Sequence, residues 1–227
     1  VCVTVLFGSH TGLFQVAAVW GLGVSLAIYS TRYICCAHLN PAVSIAMVVA
    51  GRMEKGKILF YLAGQFSGAF LASAVLFGLF NTAILNYELL HGIQRGTPES
   101  IVTAMIFGEF YPNPSLSDIL QVSMPLAFGA EAVGTFFLVF FIFSLTEGCN
   151  VGRPDNSLTP LFIGSAVTLV ICIIAPITQA GLNPARDLSP RLLAYMAGWG
   201  SAAMPDNGFG FLIVYVAGRV GGAVSAA

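Results

Sequence analysis

The chain has 227 residues, of which 57% are hydrophobic and 8% are charged, and its formal net charge is -1. A water-soluble domain carries about 25% charged residues, so this composition excludes an ordinary soluble domain and predicts a membrane protein. The near-zero net charge offers no basic surface for nucleic acid, and no nucleic-acid partner is expected. The five cysteines have no Cys-x-x-Cys spacing, which indicates neither a metal site nor a disulfide framework. No cofactor is expected.

Both ends of the sequence are apolar. The chain is hydrophobic from Val1 onward and shows neither the basic region nor the cleavage site of a signal peptide. We therefore interpret residues 1–7 as the end of a first spanning helix that is mostly missing. The last apolar run begins near Phe209 and reaches Ala227, which predicts that this end also lies within a helix.

Several stretches are long enough to cross a bilayer, which takes about 20 mostly apolar residues in a helix. The complete ones are Leu13–Tyr29, Ile58–Asn81, Met124–Leu145 and Pro160–Ile177. Gly64 and Gly68 give the second stretch the small-xxx-small spacing that lets helices approach closely. The pattern predicts an all-α membrane protein whose single domain comprises residues 1–227.

Two shorter apolar stretches, Pro41–Ala50 and Pro184–Ala197, share an opening motif. Asn40-Pro41-Ala42 begins the first and Asn183-Pro184-Ala185 begins the second, with proline where a helix tolerates it best. Such a repeated short helix is typical of a duplicated transport fold with discontinuous helices at mid-membrane. The two repeats are expected at about 1–82 and 123–227, joined by a loop at about 83–122. An odd number of spans separates the motifs, so the half-helices should enter from opposite faces.

Basic residues predict the orientation in the membrane, because cytoplasmic loops carry an excess of Lys and Arg. One side would hold Arg32, Arg52, Lys55, Lys57 and Arg153, and the other Arg95 and Arg191. The Asn40 loop is then cytoplasmic and the Asn183 loop external. The stretch from Leu85 to Gln121 is expected to be an external connection in which Glu109 is a solvated charge.

The two motifs predict a polar path through the membrane, since non-helical backbone at that depth must line a water-filled cavity or be buried in protein. The residues before each proline are expected to be extended, with carbonyl oxygens facing a lumen. Asn40 and Asn183 could offer side-chain amides to water or alcohol hydroxyls, while the positive ends of the half-helix dipoles oppose cations. The alternative is that each asparagine only caps its helix.

The twin Asn-Pro-Ala motifs resemble those of the aquaporin superfamily. Several further sequence segments resemble segments of its glycerol facilitators. These segments are Trp20-Gly21-Leu22-Gly23, Ala37-His38-Leu39-Asn40-Pro41-Ala42-Val43, Tyr111-Pro112-Asn113-Pro114, Asn183-Pro184-Ala185-Arg186-Asp187 and Leu193-Ala194-Tyr195-Met196-Ala197-Gly198-Trp199-Gly200. Water-selective relatives usually have a small residue where this chain has Asp187. Asp187 and Arg191 are also spaced to pair on one helix face.

The resemblance implies the roles of particular residues. A selectivity filter would consist of Trp20, Ile171, Ala180 and Arg186. Pore-lining backbone would come from Cys36, Ala37, His38, Gly181 and Leu182. Structural support would come from Glu131, which braces a re-entrant loop by accepting backbone N–H bonds, and from Asp187. The resemblance also implies a homotetramer with one pore per subunit, in the plasma membrane or the bacterial inner membrane.

The chain departs from the best-known glycerol facilitators, which combine the filter tryptophan with a second aromatic residue and a glycine. Ala180 should widen the filter, Ile171 should partly refill it, and no histidine is present there as in water-selective relatives. The filter should therefore pass glycerol, water and other small neutral solutes such as urea. Residues 32–36 could crowd the inner mouth, and Arg219 lies where relatives often have proline.

Other functional classes are less well supported by the sequence. Enzymes need a nucleophile with a base or a metal cluster, and the familiar catalytic motifs are absent from these 227 residues. An alternating-access carrier would also use inverted repeats, but it would usually need ionisable coupling residues at mid-membrane. A water-selective aquaporin and a non-conducting structural homologue stay open as alternatives.

Overall fold

The structure is a computed structural model that describes residues 1–204 and 209–227. Within those ranges all regular secondary structure is helical. Four helices are long and apolar enough to span a membrane. They are α2 (Leu13–Thr31), α4 (Ile58–Leu90), α6 (Met124–Thr146) and α7 (Thr159–Thr178). The four complete spans predicted from the sequence are confirmed, three of them to within two residues at each end.

The helix α4 extends nine residues past its predicted end at Asn81 and stops at Leu90. The prediction that the external connection begins at Leu85 was therefore wrong. Its last turns are stabilised by packing, because Ile84 and Glu88 are buried. The Glu88 carboxylate pairs with Arg95 at 2.8 Å and accepts a 2.7 Å hydrogen bond from the Thr103 hydroxyl. An acidic residue with nearby partners prolongs a helix that hydropathy alone would end.

The two half-helices form as predicted. The first, α3 (Pro41–Val49), and the second, α8 (Pro184–Ala194), each begin with proline directly after an asparagine in extended conformation. A π-helical stretch, Tyr195–Trp199, follows α8.

Shorter helices complete the chain. They are α1 (Cys2–Phe7), α5 (Ile101–Ala104), α9 (Gly210–Leu212) and α10 (Arg219–Ser225), with a π-helical stretch at Ile213–Gly218 between the last two. Together the last three elements form the apolar helix Gly210–Ser225, which agrees with the predicted run from Phe209.

Helices from the two halves of the chain pack on each other, with α2 on α7, α4 on α8 and α10 on α3. Glycine allows the closest of these approaches. A Cβ atom at Gly21 would lie 2.4 Å from the carbonyl oxygen of Gly164, and one at Gly164 would lie 2.2 Å from that of Gly21. By contrast, a Cβ atom at Gly64 or Gly68 would meet no other atom within 4 Å in the described part of the chain. That glycine pair therefore permits no close helix approach among the described residues.

The outer faces of the spanning helices are apolar. Exposed large side chains include Leu26, Phe60, Leu71, Leu79 and Phe137. Such a surface is stable against lipid, and helices satisfy their own backbone hydrogen bonds there. The chain is accordingly a multi-pass membrane protein, and a buried apolar cluster includes the inner residues of the half-helix α3.

Candidate functional site

A cavity of about 950 Å³ connects the two ends of the helix bundle. One end is lined by Arg32, Arg52 and Arg153, and the other by Val1, Tyr87 and Val102. Of the residues singled out in the sequence, those that line this cavity are Trp20, Cys36, Ala37, His38, Asn40, Ile171, Ala180, Gly181, Leu182, Asn183 and Arg186. Those that lie behind its wall are Pro41, Ala42, Glu131, Pro184, Ala185 and Asp187.

The two half-helices meet end to end, and their asparagines hold each other's loops. Asn40 Nδ2 donates to the carbonyl oxygen of Leu182 at 2.8 Å, and Asn183 Nδ2 donates to that of Leu39 at 2.8 Å. Each asparagine also caps its helix, since its Oδ1 accepts the backbone N–H of Ala42 or Ala185 at 2.9 and 3.0 Å. Capping is therefore one part of their role. Each side-chain amide has two N–H donors. The bond to the opposite loop uses one of them, so the other is not used by that bond.

The backbone before each proline is not uniformly extended, so that expectation was wrong in part. Asn40 and Asn183 are extended, but Leu39 and Leu182 have φ values of 55° and 54°. Ala37 and Ala180 have φ values of 48° and 54°. Each such residue costs about 1–3 kcal/mol and persists only where surrounding contacts enforce it. The left-handed conformation directs the carbonyl oxygens of Leu39 and Leu182 toward the opposite asparagine side chains. The two resulting hydrogen bonds offset part of the conformational strain.

Glu131 braces the second loop from behind. It accepts hydrogen bonds from the Thr178 hydroxyl at 2.6 Å and from the backbone N–H groups of Gly181 and Leu182 at 3.0 and 3.1 Å. Arg219 Nε lies 2.7 Å from its Oε2, and both side chains are fully buried. Arg219 is therefore paired within the protein and does not face lipid.

The first loop is held differently. The backbone N–H of Cys36 donates to the Tyr61 hydroxyl at 3.0 Å, and that of Ala37 donates to the Cys35 sulfur at 3.4 Å. His38 Nδ1 lies 3.2 Å from the Ser44 hydroxyl, so this histidine both lines the cavity and has a structural partner.

Arg186 has two neighbours at the cavity wall. Its Cζ lies 4.4 Å from the centre of the Trp20 ring, and its Nη1 forms an ion pair with Glu109. Glu109 is 1% exposed, so the interpretation of this residue as a solvated loop charge was wrong. Its own N–H donates to Asp187 at 2.8 Å, which fixes the connecting segment against α8. No sequence pattern marked Glu109, because its partner lies 77 positions away.

Asp187 pairs with Arg191 at 2.6 Å, as their spacing predicted. Both side chains are buried within α8, the half-helix in which the sequence placed them. Arg191 also donates to the backbone carbonyl oxygens of Glu109 and Ala203. The pair thus fastens α8 to two connecting segments and leaves Arg186 free to pair with Glu109.

Comparison with known proteins identifies the family. The profile described as "Major intrinsic protein" matches residues 2–227. The chain belongs to the major intrinsic protein family. A solved structure, the aquaglyceroporin from Plasmodium falciparum, superposes with a TM-score of 0.76 at 27% identity, covering 98% of this chain and 85% of that one. The predicted aquaporin-like fold is confirmed by this likeness.

Curated relatives from this family are similar over most of the chain. The glycerol uptake facilitator protein of Haemophilus influenzae is 40% identical over 205 residues, or 89% of this chain and 75% of that protein. The protein of the same name from Escherichia coli K12 is 36% identical over 226 residues, or 98% and 78%. The propanediol uptake facilitator PduF of Salmonella typhimurium is 38% identical over 197 residues, or 87% and 72%.

In this major intrinsic protein, the mouth on the Asn40 side is basic and ordered by polar contacts. Arg32 donates to the Asn156 carbonyl at 2.7 Å, Arg153 donates to the Asn156 side chain at 2.7 Å, and Arg52 pairs with Glu147. The backbone N–H of Cys149 and the Arg52 guanidinium hold the pKa of Glu147 below its ordinary value. These contacts tie three connecting segments together around the opening.

The segment of residues 32–36 does not fill this mouth. Tyr33 and Ile34 are 86% and 85% exposed and do not line the cavity, whereas the exposed Cys36 does. Tyr33 and Ile34 therefore do not narrow the cavity, while Arg32 and the Cys36 thiol lie beside it.

Proposed function

We propose that this chain is a passive channel that conducts glycerol, other small neutral solutes and water, and excludes ions and protons. Relatives 36% and 40% identical are named glycerol uptake facilitators, and one that is 38% identical is named a propanediol uptake facilitator. The observation that carries the proposal is the single cavity whose wall contains Asn40, Asn183, Trp20 and Arg186.

The side chains of this wall suit a small polyol. The Trp20 ring offers an apolar face to the carbon edge of the solute, and Arg186 offers N–H donors to its hydroxyl oxygens. Backbone carbonyl oxygens of the two loops can accept hydrogen bonds from the hydroxyl groups of the solute. The proposed filter, Trp20, Ile171, Ala180 and Arg186, thus pairs one apolar face with one polar face, which matches the two sides of an extended polyol.

Exclusion of cations follows from fixed charges and dipoles. The N-termini of α3 and α8 both point at the middle of the cavity, where each contributes a partial positive charge. Arg186 adds a guanidinium nearer one end. A neutral solute replaces its hydrogen bonds to water with hydrogen bonds to the cavity wall. A cation would lose its hydration shell and would also be repelled by the positive electrostatic potential there.

The alternatives differ in what they require. A water-selective channel needs a narrower, more polar filter than Ile171 and Ala180 provide. An ion-coupled carrier usually needs ionisable coupling groups at mid-membrane, and the candidates are Glu131, Arg186 and Arg219. Glu131 and Arg219 pair with each other behind the wall, and Arg186, at the wall, pairs with Glu109. A non-conducting homologue would need a blocked cavity, and the bulky Tyr33 and Ile34 do not line it.

We further propose a homotetramer in the lipid bilayer of a cell membrane, with one pore per subunit. The apolar outer faces leave room for both lipid and subunit contacts. The mass of the detergent-solubilised particle tests this: four subunits are expected, and a monomer that conducts fully would contradict it.

Stopped-flow light scattering on proteoliposomes tests the function. Glycerol influx should be fast relative to protein-free liposomes and should rise linearly with glycerol concentration, without an ion gradient. Saturating influx would support a carrier instead. Rapid water flux without glycerol flux would support the water-selective alternative, and neither flux would support the non-conducting one.

A further inference from the structure

The charged side chains that line the cavity are all of one sign. Among the described residues of the lining, four are arginines and none is an aspartate or a glutamate. Arg52 and Arg186 each pair with a glutamate that does not line the cavity. Arg32 and Arg153 form no ion pair within residues 1–204 and 209–227. The mouth on the Asn40 side therefore holds two arginines without a counter-charge.

These two arginines meet at one residue. Arg32 Nη1 donates to the backbone carbonyl oxygen of Asn156 at 2.7 Å, and Arg153 Nη1 donates to the side-chain oxygen of the same asparagine at 2.7 Å. The Cζ atom of Arg32 also lies 5.4 Å from the ring centre of Tyr29 and 4.9 Å from that of Tyr33. Neutral groups thus hold the two guanidinium groups near each other without compensating their charge.

Both guanidinium groups keep donors for a further acceptor. The side chain of Arg153 makes its bond to Asn156, and that of Arg32 makes one more, to the Tyr33 hydroxyl at 2.9 Å. A guanidinium has more N–H donors than these contacts use. Both side chains are half-buried and line the cavity, so a ligand in the mouth could reach them.

The general excess of basic residues on one face of a membrane protein does not account for this arrangement. Lys55 and Lys57 contribute to such an excess while lying outside the cavity lining. Asp155, the sequence neighbour of Asn156, is exposed and pairs with neither arginine. The convergence of two arginines on one asparagine at the opening therefore indicates a binding site.

The charge and the donors together indicate the class of ligand. Two guanidinium groups match an anion that carries about two negative charges and several acceptor oxygens. A phosphate monoester has a charge of about −1.5 to −2 at pH 7 and three acceptor oxygens, and the planar guanidinium suits phosphate oxygens. A carboxylate carries a single charge, and one carboxylate is already matched to the single arginine Arg52 at this mouth.

We propose that Arg32 and Arg153 form a binding site for a small, soluble phosphate-bearing anion, and that the bound anion obstructs the path of neutral solutes. The obstruction rests on the proposed channel function, whereas the binding does not. Because both arginines line the cavity and not the apolar outer face, the ligand is a soluble anion in preference to a lipid headgroup.

Binding is tested by calorimetric titration of the protein, in an uncharged detergent, with inorganic phosphate and with sodium chloride of equal ionic strength as the blank. Saturable binding at one site per subunit is expected. Arg153→Gln should weaken it about tenfold, because a hydrogen bond to a charged group is lost. Arg153→Lys keeps the charge without the planar set of donors and should bind with intermediate affinity. The control is Lys55→Gln, an exposed cation outside the lining, which should bind as the parent does.

Obstruction is tested in proteoliposomes with phosphate at equal concentration on both sides. Glycerol influx should fall about twofold at the phosphate concentration that fills half of the sites, relative to chloride at equal ionic strength. In Arg153→Gln the same phosphate concentration should lower influx less, with each variant compared with its own influx in chloride. Vesicles of phosphatidylcholine, with and without phosphatidylglycerol, distinguish a soluble anion from a lipid headgroup.

Several results would overturn the proposal. They are a lack of saturable phosphate binding to the parent, equal weakening of binding in Lys55→Gln, and binding that leaves glycerol influx unchanged. Influx that is already low in phosphatidylglycerol vesicles without phosphate, and that phosphate lowers no further, would assign the site to a lipid headgroup and overturn the soluble ligand. If Arg153→Gln does not fold, Arg32→Gln replaces it. If the parent conducts no glycerol in chloride, the proposed function fails, while calorimetry still decides whether the site binds phosphate.

Discussion

Glu109 reaches from the connecting segment to the cavity wall and forms an ion pair with Arg186, the arginine of the proposed filter. The Glu109 side chain is almost completely buried, whereas that of Arg186 is partly open to the cavity. One carboxylate therefore fixes the position of the guanidinium and leaves some of its N–H groups facing the solute path.

Removing this carboxylate should alter both stability and selectivity. Glu109→Gln leaves Arg186 without its charged partner, and losing a hydrogen bond to a charged group typically costs about 1.5–3 kcal/mol. We expect a lower thermal unfolding temperature and a several-fold lower glycerol flux, because Arg186 would lose its fixed orientation. The control is Glu99→Gln, an exposed carboxylate in the same connection, which should change neither quantity. Unchanged glycerol flux in a folded Glu109→Gln protein would contradict this role.

Trp20 should set the upper size of the permeant polyol. Trp20→Ala removes the ring that lies against Arg186, so the opening widens on its apolar side. Flux of five-carbon alditols, measured by light scattering, should rise several-fold while water flux is retained. Val19→Ala serves as control, because Val19 is exposed on the outer face of the same helix. A five-carbon flux equal to that of the parent would show that another residue limits the width.

Cys36 should make the channel sensitive to mercurials. Its thiol is exposed and lines the cavity at the basic mouth, so a bound mercurial would narrow the opening. Glycerol flux should fall on treatment and recover with a reducing thiol. Cys36→Ser should abolish the effect, whereas Cys149→Ser, which removes an exposed thiol that does not line the cavity, should preserve it. Inhibition that survives Cys36→Ser would exclude this site.

Gly181 should tolerate no side chain. In Gly181→Ala the new methyl group would overlap Arg219 and displace the brace of the second loop. Overpacking usually costs about 1–3 kcal/mol, and here it should also abolish most glycerol flux. Gly148→Ala is the control, since a Cβ atom there meets no other described atom within 4 Å. Normal stability of Gly181→Ala in thermal unfolding would contradict the contact with Arg219.

The sequence predicted the features that local patterns encode. Hydropathy located the spans, and proline after asparagine located both half-helices. The spacing of Asp187 and Arg191 predicted their ion pair, because four positions on a helix bring side chains together. Resemblance, rather than any pattern, singled out Glu131.

Contacts between distant residues could not be predicted in this way. Nothing near Glu109 distinguishes it from a solvated loop charge, and its burial depends on how the connection folds over α8. The left-handed conformations of Leu39 and Leu182 could not be predicted either, because glycine is the usual sequence signal for a positive φ and neither residue is a glycine. Arg219 was visible as an intramembrane charge, but its contact with Asn183 depends on the packing of α10.

Glycerol permeability and proton conductance, recorded on the same proteoliposomes, distinguish a selective glycerol channel from a leaky or closed one. We predict fast, non-saturating glycerol flux together with a proton conductance no higher than that of protein-free liposomes. Glycerol flux accompanied by a large proton leak would contradict the proposed barrier at Asn40 and Asn183. A lack of glycerol flux in correctly folded protein would contradict the proposed channel itself.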